Sequence, residues 1–272
     1  MIRIETDNAW LLLEHAEHAA LAGEFARHWK NEHFAPPEPF SHILDACARH
    51  DDSWRVRDAV PVLTAEGNPS AFSSELVGTY DAFEEIDMED YLSVRGQATE
   101  AAASRDPYAA VLISMHTVDL LTEQANLTTL NEAERQLHAD FIEGQRRRQA
   151  ELKATLRDQP DIADLADDLH FQRGFEFLQA CDSFSLYVGV DFPDVGTLRH
   201  RQPTRQGDLT EIKIHPLGDN RYRLAPYPLD EPEVTFHVPY RRIPKSETVS
   251  LARFQAAYAT ASIEIVCVTV IQ

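Results

Sequence analysis

The chain has 272 residues, of which 43% are hydrophobic and 26% charged, a composition typical of a globular protein that buries a substantial core. Its formal charge of −20 argues against a nucleic-acid backbone as a partner, and no apolar run approaches the roughly 18 residues that a transmembrane helix needs. The N-terminus lacks the basic, apolar and small-residue regions of a secretory signal, so we expect a cytoplasmic protein.

The first part of the chain predicts a hairpin followed by two helices. Residues 1–13 are expected to form a β-hairpin, because apolar residues flank the turn signal "TDN" on both sides. Apolar residues then recur at helical spacing over residues 16–30, and a second helix is expected to end at His50. Residues 61–79 contain Gly and Pro and predict a long irregular connection, which we expect to border the mouth of a site beside His50.

Four further helices are expected before residue 190. The first begins near Asp87, and the second has Asp106 as its N-cap with Pro107 at the first helical position, where the missing N–H is tolerated. Residues 131–158 form a long, highly charged pattern, and residues 169–188 carry an apolar stripe on one face.

Beyond residue 191 the periodicity changes from helical to alternating. The stretches "EVTFHVPYRRI" and "SIEIVCVTVIQ" predict strands of an antiparallel sheet. We therefore expect a mainly α protein of the α+β class, a helical bundle with a small antiparallel sheet that includes the N-terminal hairpin. A single domain would span residues 1–272, with a helical body over about 14–190 and a β-rich part over about 205–272.

Five polar residues are expected on inward helix faces or at a helix end. A lone inward His or Asp usually has an ordinary structural partner, such as a backbone N–H at the start of a helix or an arginine. Several such side chains in one interior are better satisfied together by a divalent metal ion, with zinc, manganese or iron all compatible with imidazole and carboxylate ligands. The candidate metal ligands are His18, His50, Asp51, His116 and Asp182.

The order of these residues resembles the HD superfamily of helical metal-dependent phosphohydrolases. That pattern is a His, an adjacent His-Asp pair, often a further His, and a distant Asp. The resemblance implies that His18, His50, Asp51 and Asp182 are metal ligands. It implies that His116 is either a ligand to a second metal ion or an acid/base residue.

The segments "HDDSW", "DPYAAVLISMH" and "QACDSFSLYVG" are also similar to those of a bacterial domain-of-unknown-function family, over about residues 1–260. The chain departs from the superfamily where a Gly and a phosphate-binding Lys usually follow the His-Asp pair, because Ser53 and Trp54 stand there. Three nearby arginines could bind the substrate phosphate instead, or could equally pair with the surplus of acidic residues: Arg49, Arg55 and Arg57. Asp52 could assist a ligating histidine in catalysis or simply end the helix.

Three functions are compatible with these residues. The first is a metal-dependent hydrolase of a phosphoester or nucleotide, in which His116 transfers the proton. The second is a non-haem di-iron oxygenase on the same scaffold, which would need extra ligands such as His15 and His42. The third is a non-catalytic module that binds a small ligand or stabilises the helices. A small-molecule substrate is expected for the two enzymes, and the oligomeric state is left open.

Overall fold

The computed structural model describes residues 1–73 and 88–272. The helices of these residues, in chain order, are α1 (His15–Arg27), α2 (Phe40–Arg49), α3 (Arg55–Asp58), α4 (Met88–Ala103), α5 (Pro107–Asp119), α6 (Glu132–Arg157), α7 (Asp168–Gly189) and α8 (Leu251–Thr260). A π-helical turn, Leu120–Gln124, continues α5. Among the described residues, no helix has both the length and the apolar character needed to cross a membrane.

The strands of the described residues are β1 (Ile2–Glu5), β2 (Ala9–Leu13), β3 (Gly196–Thr197), β4 (Gln202–Pro203), β5 (Leu209–Thr210), β6 (Lys213–Gly218), β7 (Arg221–Ala225), β8 (Glu233–Pro244) and β9 (Ile263–Ile271). Seven of them form one sheet in the order β1-β2-β8-β9-β7-β6-β3, which curls into a half-barrel. The pairs are antiparallel except β7 and β9, which run parallel. β4 and β5 form a separate two-stranded sheet.

The expectation of a mainly α, HD-like bundle with a small antiparallel sheet is wrong, because the sheet is large and mixed. The N-terminal hairpin lies in it, since β2 pairs with β8. Alternating residues predict strands one at a time, but they do not tell which strands become neighbours. Here β9 inserts between β8 and β7, and the short β3 extends the sheet from residues that precede the expected β-rich part. The description as an α-helical protein is corrected accordingly.

One face of the sheet positions two of the helices, and α8 covers part of the other face at β2 and β8. Residues of β7 and β8 alternate between buried and exposed. The ring of Phe25 on α1 stacks on Phe184 of α7 with 3.9 Å between ring centroids. The ring centroids of Phe236 on β8 and Phe184 are 5.5 Å apart. The sheet therefore holds α1 and α7 against each other through a shared aromatic contact.

Two helix starts expected from the sequence are found where capping chemistry places them. The Asp106 side chain accepts hydrogen bonds from the first backbone N–H groups of α5, and Pro107 occupies the first turn, as predicted. α6 begins with a capping box between Asn131 and Glu134. The expected N-cap at Asp87 lies outside the described residues.

The described part of the irregular connection follows the edge of the sheet. The backbone N–H of Phe72 donates to the Met1 carbonyl at 3.0 Å, and its carbonyl accepts from the Arg3 N–H at 2.8 Å. Gln255 of α8 donates to the carbonyl of Pro61 at 3.1 Å. Residues 74–79 lie outside the described residues, and the placement of this connection at the mouth of a site stays a prediction.

Substitution of Gly23 by Ala should destabilise the protein, because α1 and α2 approach closely at this position. A Cβ added at Gly23 would lie 2.5 Å from the Cβ and 2.8 Å from the Cα of Ala48. We expect the free energy of unfolding to fall by about 1–3 kcal/mol, measured by urea denaturation. Gly144→Ala on α6 is the control: its Cβ would meet no atom within 4 Å, and Ala should stabilise the helix by up to about 1 kcal/mol. Equal effects of the two substitutions would contradict this packing argument.

Candidate metal centre

Three polar side chains from three helices meet in the interior of the protein. His18 lies on α1, His50 follows the end of α2, and Asp182 lies on α7; all three are buried. Oδ1 of Asp182 lies 2.9 Å from Nε2 of His18 and 3.2 Å from Nε2 of His50. The two Nε2 atoms are 3.3 Å apart. The closest atoms of the three side chains thus form a compact triangle.

Hydrogen bonds on the far side of each imidazole determine which nitrogen carries its proton. Nδ1 of His50 lies 2.9 Å from the carbonyl oxygen of Cys47, which can only accept, so this nitrogen is an N–H donor. Nδ1 of His18 lies 2.8 Å from the hydroxyl of Ser185, whose own proton goes to the carbonyl of Asp182 at 2.9 Å. That nitrogen therefore also donates. In their neutral forms both imidazoles direct the lone pair of Nε2 toward Asp182.

This donor set fits a divalent cation. With both rings neutral, two imidazole lone pairs and a carboxylate oxygen are all acceptors, so a positive charge is needed among them, either a proton on an imidazole or a metal ion. Ligand atoms about 2.1 Å from a zinc-like ion lie about 3.0–3.4 Å apart in octahedral or tetrahedral coordination. The separations of 3.2 and 3.3 Å fall in this range, and that of 2.9 Å lies just below it. His18, His50 and Asp182 could therefore hold a metal ion with little movement.

Asp51 joins this cluster from the residue after His50, and its two oxygens face different partners. Oδ1 accepts a hydrogen bond from Nη1 of the buried Arg95 at 2.7 Å, and Oδ2 lies 3.9 Å from Nε2 of His50. The Arg95 guanidinium also lies over the rings of Trp54 and Tyr91, at 5.2 and 5.4 Å from their centroids. Arg95 thus occupies one oxygen of Asp51 and leaves the other on the side of the imidazoles.

His116 lies at the edge of the cluster. Candidate ligand atoms fall within 4.8 Å of one another in two overlapping sets, His18–His50–Asp51 and His50–His116–Asp182. The His116 ring meets that of His50 edge-on, with centroids 5.2 Å apart. The structure therefore brings together all five residues predicted as metal ligands.

The charge states of these groups follow from burial and from their neighbours. Burial alone would lower the pKa of His50, but Asp51 and Asp182 outweigh it and raise that pKa to about 9. Burial would raise the pKa of Asp182, but the imidazoles of His18 and His50, within hydrogen-bond distance of its carboxylate, hold it well below its usual range. Burial lowers the pKa of His116 to about 4, so this imidazole is neutral at pH 7. A neutral imidazole is a poor source of a proton for a leaving group.

The other predicted catalytic and substrate-binding residues pair with acidic or basic residues away from this cluster. Asp52, predicted to be catalytic, accepts hydrogen bonds from two of the arginines, Arg49 at 3.4 Å and Arg55 at 3.1 Å. Arg57 donates to Asp90 at 2.8 Å. Within the described residues, none of their hydrogen bonds or ion pairs reaches a member of the five-residue cluster. The structure therefore favours ordinary ion pairing for these four residues.

The extra ligands that a di-iron site would require are also engaged elsewhere. Nδ1 of His15 lies 3.0 Å from the carboxylate of Asp58, and the imidazole stacks on Trp54. Nδ1 of His42 lies 2.8 Å from the carboxylate of Asp106, the N-cap of α5. Neither belongs to the two ligand sets of the described residues.

Some of the partners that organise the site were missed in the sequence. Arg95 shares one face of α4 with the buried Tyr91, Leu92 and Ala98, and a buried Asp51 requires a cation nearby. Ser185 and Gln179 lie three residues to either side of Asp182 on α7, so they share its inward face. This spacing is the signal that could have identified them.

A comparison with known protein families matches residues 1–245 to one family model, described as "Protein of unknown function (DUF3891)". The chain belongs to this family. All five residues of the cluster lie within the matched segment. No curated protein and no solved structure matches the chain. Membership of this family therefore does not assign an activity, and any functional argument depends on the site itself.

Removal of the Arg95 charge should leave a buried carboxylate without its main partner. Burial would raise the pKa of Asp51, but Arg95 holds that pKa well below its usual range. We expect Arg95→Leu to lower the free energy of unfolding by about 3–5 kcal/mol at pH 7. Arg148→Leu is the control, because Arg148 pairs with Glu100 and Glu151 near the surface and should contribute less than about 1 kcal/mol.

The same variant has a predictable pH dependence. In the wild type, the depressed pKa of Asp51 contributes stability that is present above the unfolded-state pKa of about 3.9 and is lost as the pH falls toward the folded value. Without Arg95 the buried Asp51 should become protonated at a higher pH, which relieves the unpaired charge. Urea denaturation should therefore show a larger difference between Arg95→Leu and wild type at about pH 7 than at about pH 4.5. A difference independent of pH would contradict this role of the pair.

Proposed function

We propose that this chain binds a divalent metal ion and uses it to hydrolyse a phosphoester or nucleotide. The observation that carries the proposal is the convergence of Nε2 of His18, Nε2 of His50 and Oδ1 of Asp182, which would all be acceptors once a metal ion replaced the proton of His50. The ionised Asp51 adds a fourth ligand group within the same cluster. Zinc, manganese and iron all accept such a mixture of imidazole and carboxylate ligands.

The buried residues around these ligands would hold them in the geometry that a metal requires. The Cys47 carbonyl and the Ser185 hydroxyl orient the two imidazoles, and Arg95 orients Asp51. When bound, such a metal ion lowers the pKa of a coordinated water toward 7 and polarises a phosphoryl oxygen. The protein side chains contribute the positions of the ligands and exclude bulk water from the cluster.

The reaction class rests on the resemblance to the HD superfamily. Its order of His, His-Asp and distant Asp is matched by His18, His50-Asp51 and Asp182, and these residues are neighbours in space despite their separation in sequence. The phosphate-binding Lys of that pattern is missing, and the three arginines considered as replacements pair with carboxylates. Other groups of the protein would therefore have to bind the substrate phosphate. We propose phosphoesters as the first substrate class to test.

Substitution of Asp182 by Asn should remove the metal while preserving the shape of the side chain. We expect the wild-type protein, purified without chelator, to contain one or more equivalents of zinc, manganese or iron by elemental analysis. Asp182→Asn should weaken zinc binding by more than about 100-fold in a chelator competition, because a ligand charge is lost. Asp168→Asn is the control, since Asp168 lies on the same helix but pairs with Lys153 at the surface. Unchanged metal content in Asp182→Asn would contradict the proposed site.

The hydrolase is tested with metal-loaded protein and a panel of phosphoesters. We expect hydrolysis of p-nitrophenyl phosphate, bis(p-nitrophenyl) phosphate or a nucleotide, measured by release of p-nitrophenol or inorganic phosphate. Activity should depend on the metal and fall by more than about 100-fold in Asp182→Asn, but not in Asp168→Asn. Tightly bound metal without hydrolysis of any of these compounds would contradict the enzymatic part of the proposal.

A further inference from the structure

We infer that His116 is a hydrogen-bond donor to an oxygen of the substrate, not a metal ligand, and that Gln179 is the positioning residue that holds it in this state. The assignment of the donor follows from hydrogen bonds in the structure. The nature of the acceptor, a phosphoryl or leaving-group oxygen, rests on the proposed function.

The orientation of the Gln179 amide is determined by its neighbours. Its Oε1 accepts hydrogen bonds from Nε of Arg199 at 3.2 Å and from Nε2 of His200 at 2.6 Å. Its Nε2 donates to Oδ2 of Asp119 at 2.6 Å. An arginine only donates and an ionised carboxylate only accepts. The opposite amide orientation would place the amide NH₂ against the Arg199 donor and the amide oxygen against the Asp119 carboxylate. Gln179 is fully buried, which makes such a mismatch costly.

The groups that orient Gln179 are themselves held in place. Oδ2 of Asp119 also accepts from Nε2 of Gln124 at 2.9 Å and from Nη2 of Arg199 at 3.3 Å. Gln124 ends the π-helical turn that continues α5, and such turns are frequent at functional sites. The backbone N–H of Arg199 donates to the Ser183 hydroxyl on α7 at 3.0 Å. The array therefore connects α5, α7 and the segment after β3.

The fixed amide determines the tautomer of His116. Nε2 of Gln179 has two hydrogens: one is used by Asp119, and the other is available to Nδ1 of His116 at 3.5 Å. Nδ1 of His116 must then accept, and the neutral ring carries its proton on Nε2. This is the reverse of His18 and His50, whose Nδ1 atoms donate. A nitrogen that keeps its proton cannot coordinate a metal ion.

A neutral imidazole N–H beside a metal centre has a definite chemical role. It donates a hydrogen bond to an oxygen on which negative charge develops and stabilises that charge in a water-poor site. The proton stays on Nε2, so no bond to hydrogen is broken. His116 would therefore be a catalytic residue that stabilises the transition state, in place of the proton transfer expected from the sequence.

Nuclear magnetic resonance reads this tautomer directly. Long-range ¹H–¹⁵N correlation spectra of the ¹⁵N-labelled protein distinguish the two ring nitrogens, and the signals of His116 are identified by their loss in His116→Gln. We expect His116 to be protonated at Nε2 both before and after addition of Zn²⁺, whereas Nε2 of His18 and His50 should shift on zinc binding. A proton on Nδ1 of His116, or coordination of its Nε2 by zinc, would overturn the inference.

Two substitutions test the role of the array. Gln179→Glu removes the amide hydrogens and should change the protonation of Nδ1 of His116, whereas Gln172→Glu, on the exposed face of the same helix, should not. His116→Gln should retain zinc but lose about 100-fold in kcat for a phosphoester; loss of zinc from it would contradict the donor role. Should Gln179→Glu fail to fold, the wild-type spectrum alone decides.

These outcomes also separate this inference from the proposed function. If zinc does not bind the wild-type protein, the proposed metal site fails, while the tautomer of His116 is still read in the metal-free spectrum. If zinc binds through His18 and His50 but His116 carries its proton on Nδ1, the inference fails and the metal site stands.

Discussion

The oxygen of Asp182 that faces both His18 and His50 is the contact on which the interior of this protein depends. A carboxylate buried among Phe and Leu side chains would be very costly if it were unpaired. Two imidazoles satisfy it, but they bring two further polar groups into the core, and each of these requires its own partner on the outer side. The Cys47 carbonyl and the Ser185 hydroxyl provide them. One buried charge thus explains a chain of polar side chains across three helices.

Both the sheet and the packing between helices hold the ligands of this centre in place. One face of the sheet fixes α1 and α7 through aromatic packing, and these helices supply His18 and Asp182. α2 is brought to the same point by its close packing on α1, where Gly23 leaves room for Ala48. α4 then contributes a compensating cation, Arg95. The packing of these helices therefore sets the positions of the ligands, with His50 and Asp51 in the turn that directly follows α2.

The sequence predicted the members of the cluster better than it predicted the fold around them. Residue type and helix face are local properties, and they were enough to select inward His and Asp residues. The size of the sheet could not be predicted, because the insertion of β9 beside β7 joins segments that are distant in the chain. α8 was missed although Ser250 caps it and Phe254 and Tyr258 are buried at helical spacing. The arginines near His50 were considered for substrate binding because the sequence does not show which acids compete for them.

The separation of the ligands along the chain has a consequence for folding. The contact between His18 and Asp182 spans 164 positions. His18 lies on α1, which directly follows the hairpin, and the hairpin pairs with β8 from the last forty or so residues. No local segment of the chain contains enough ligands to bind a metal ion with the affinity of the assembled cluster. A metal ion would therefore bind late, after the helices have packed, and would slow unfolding more than it speeds folding.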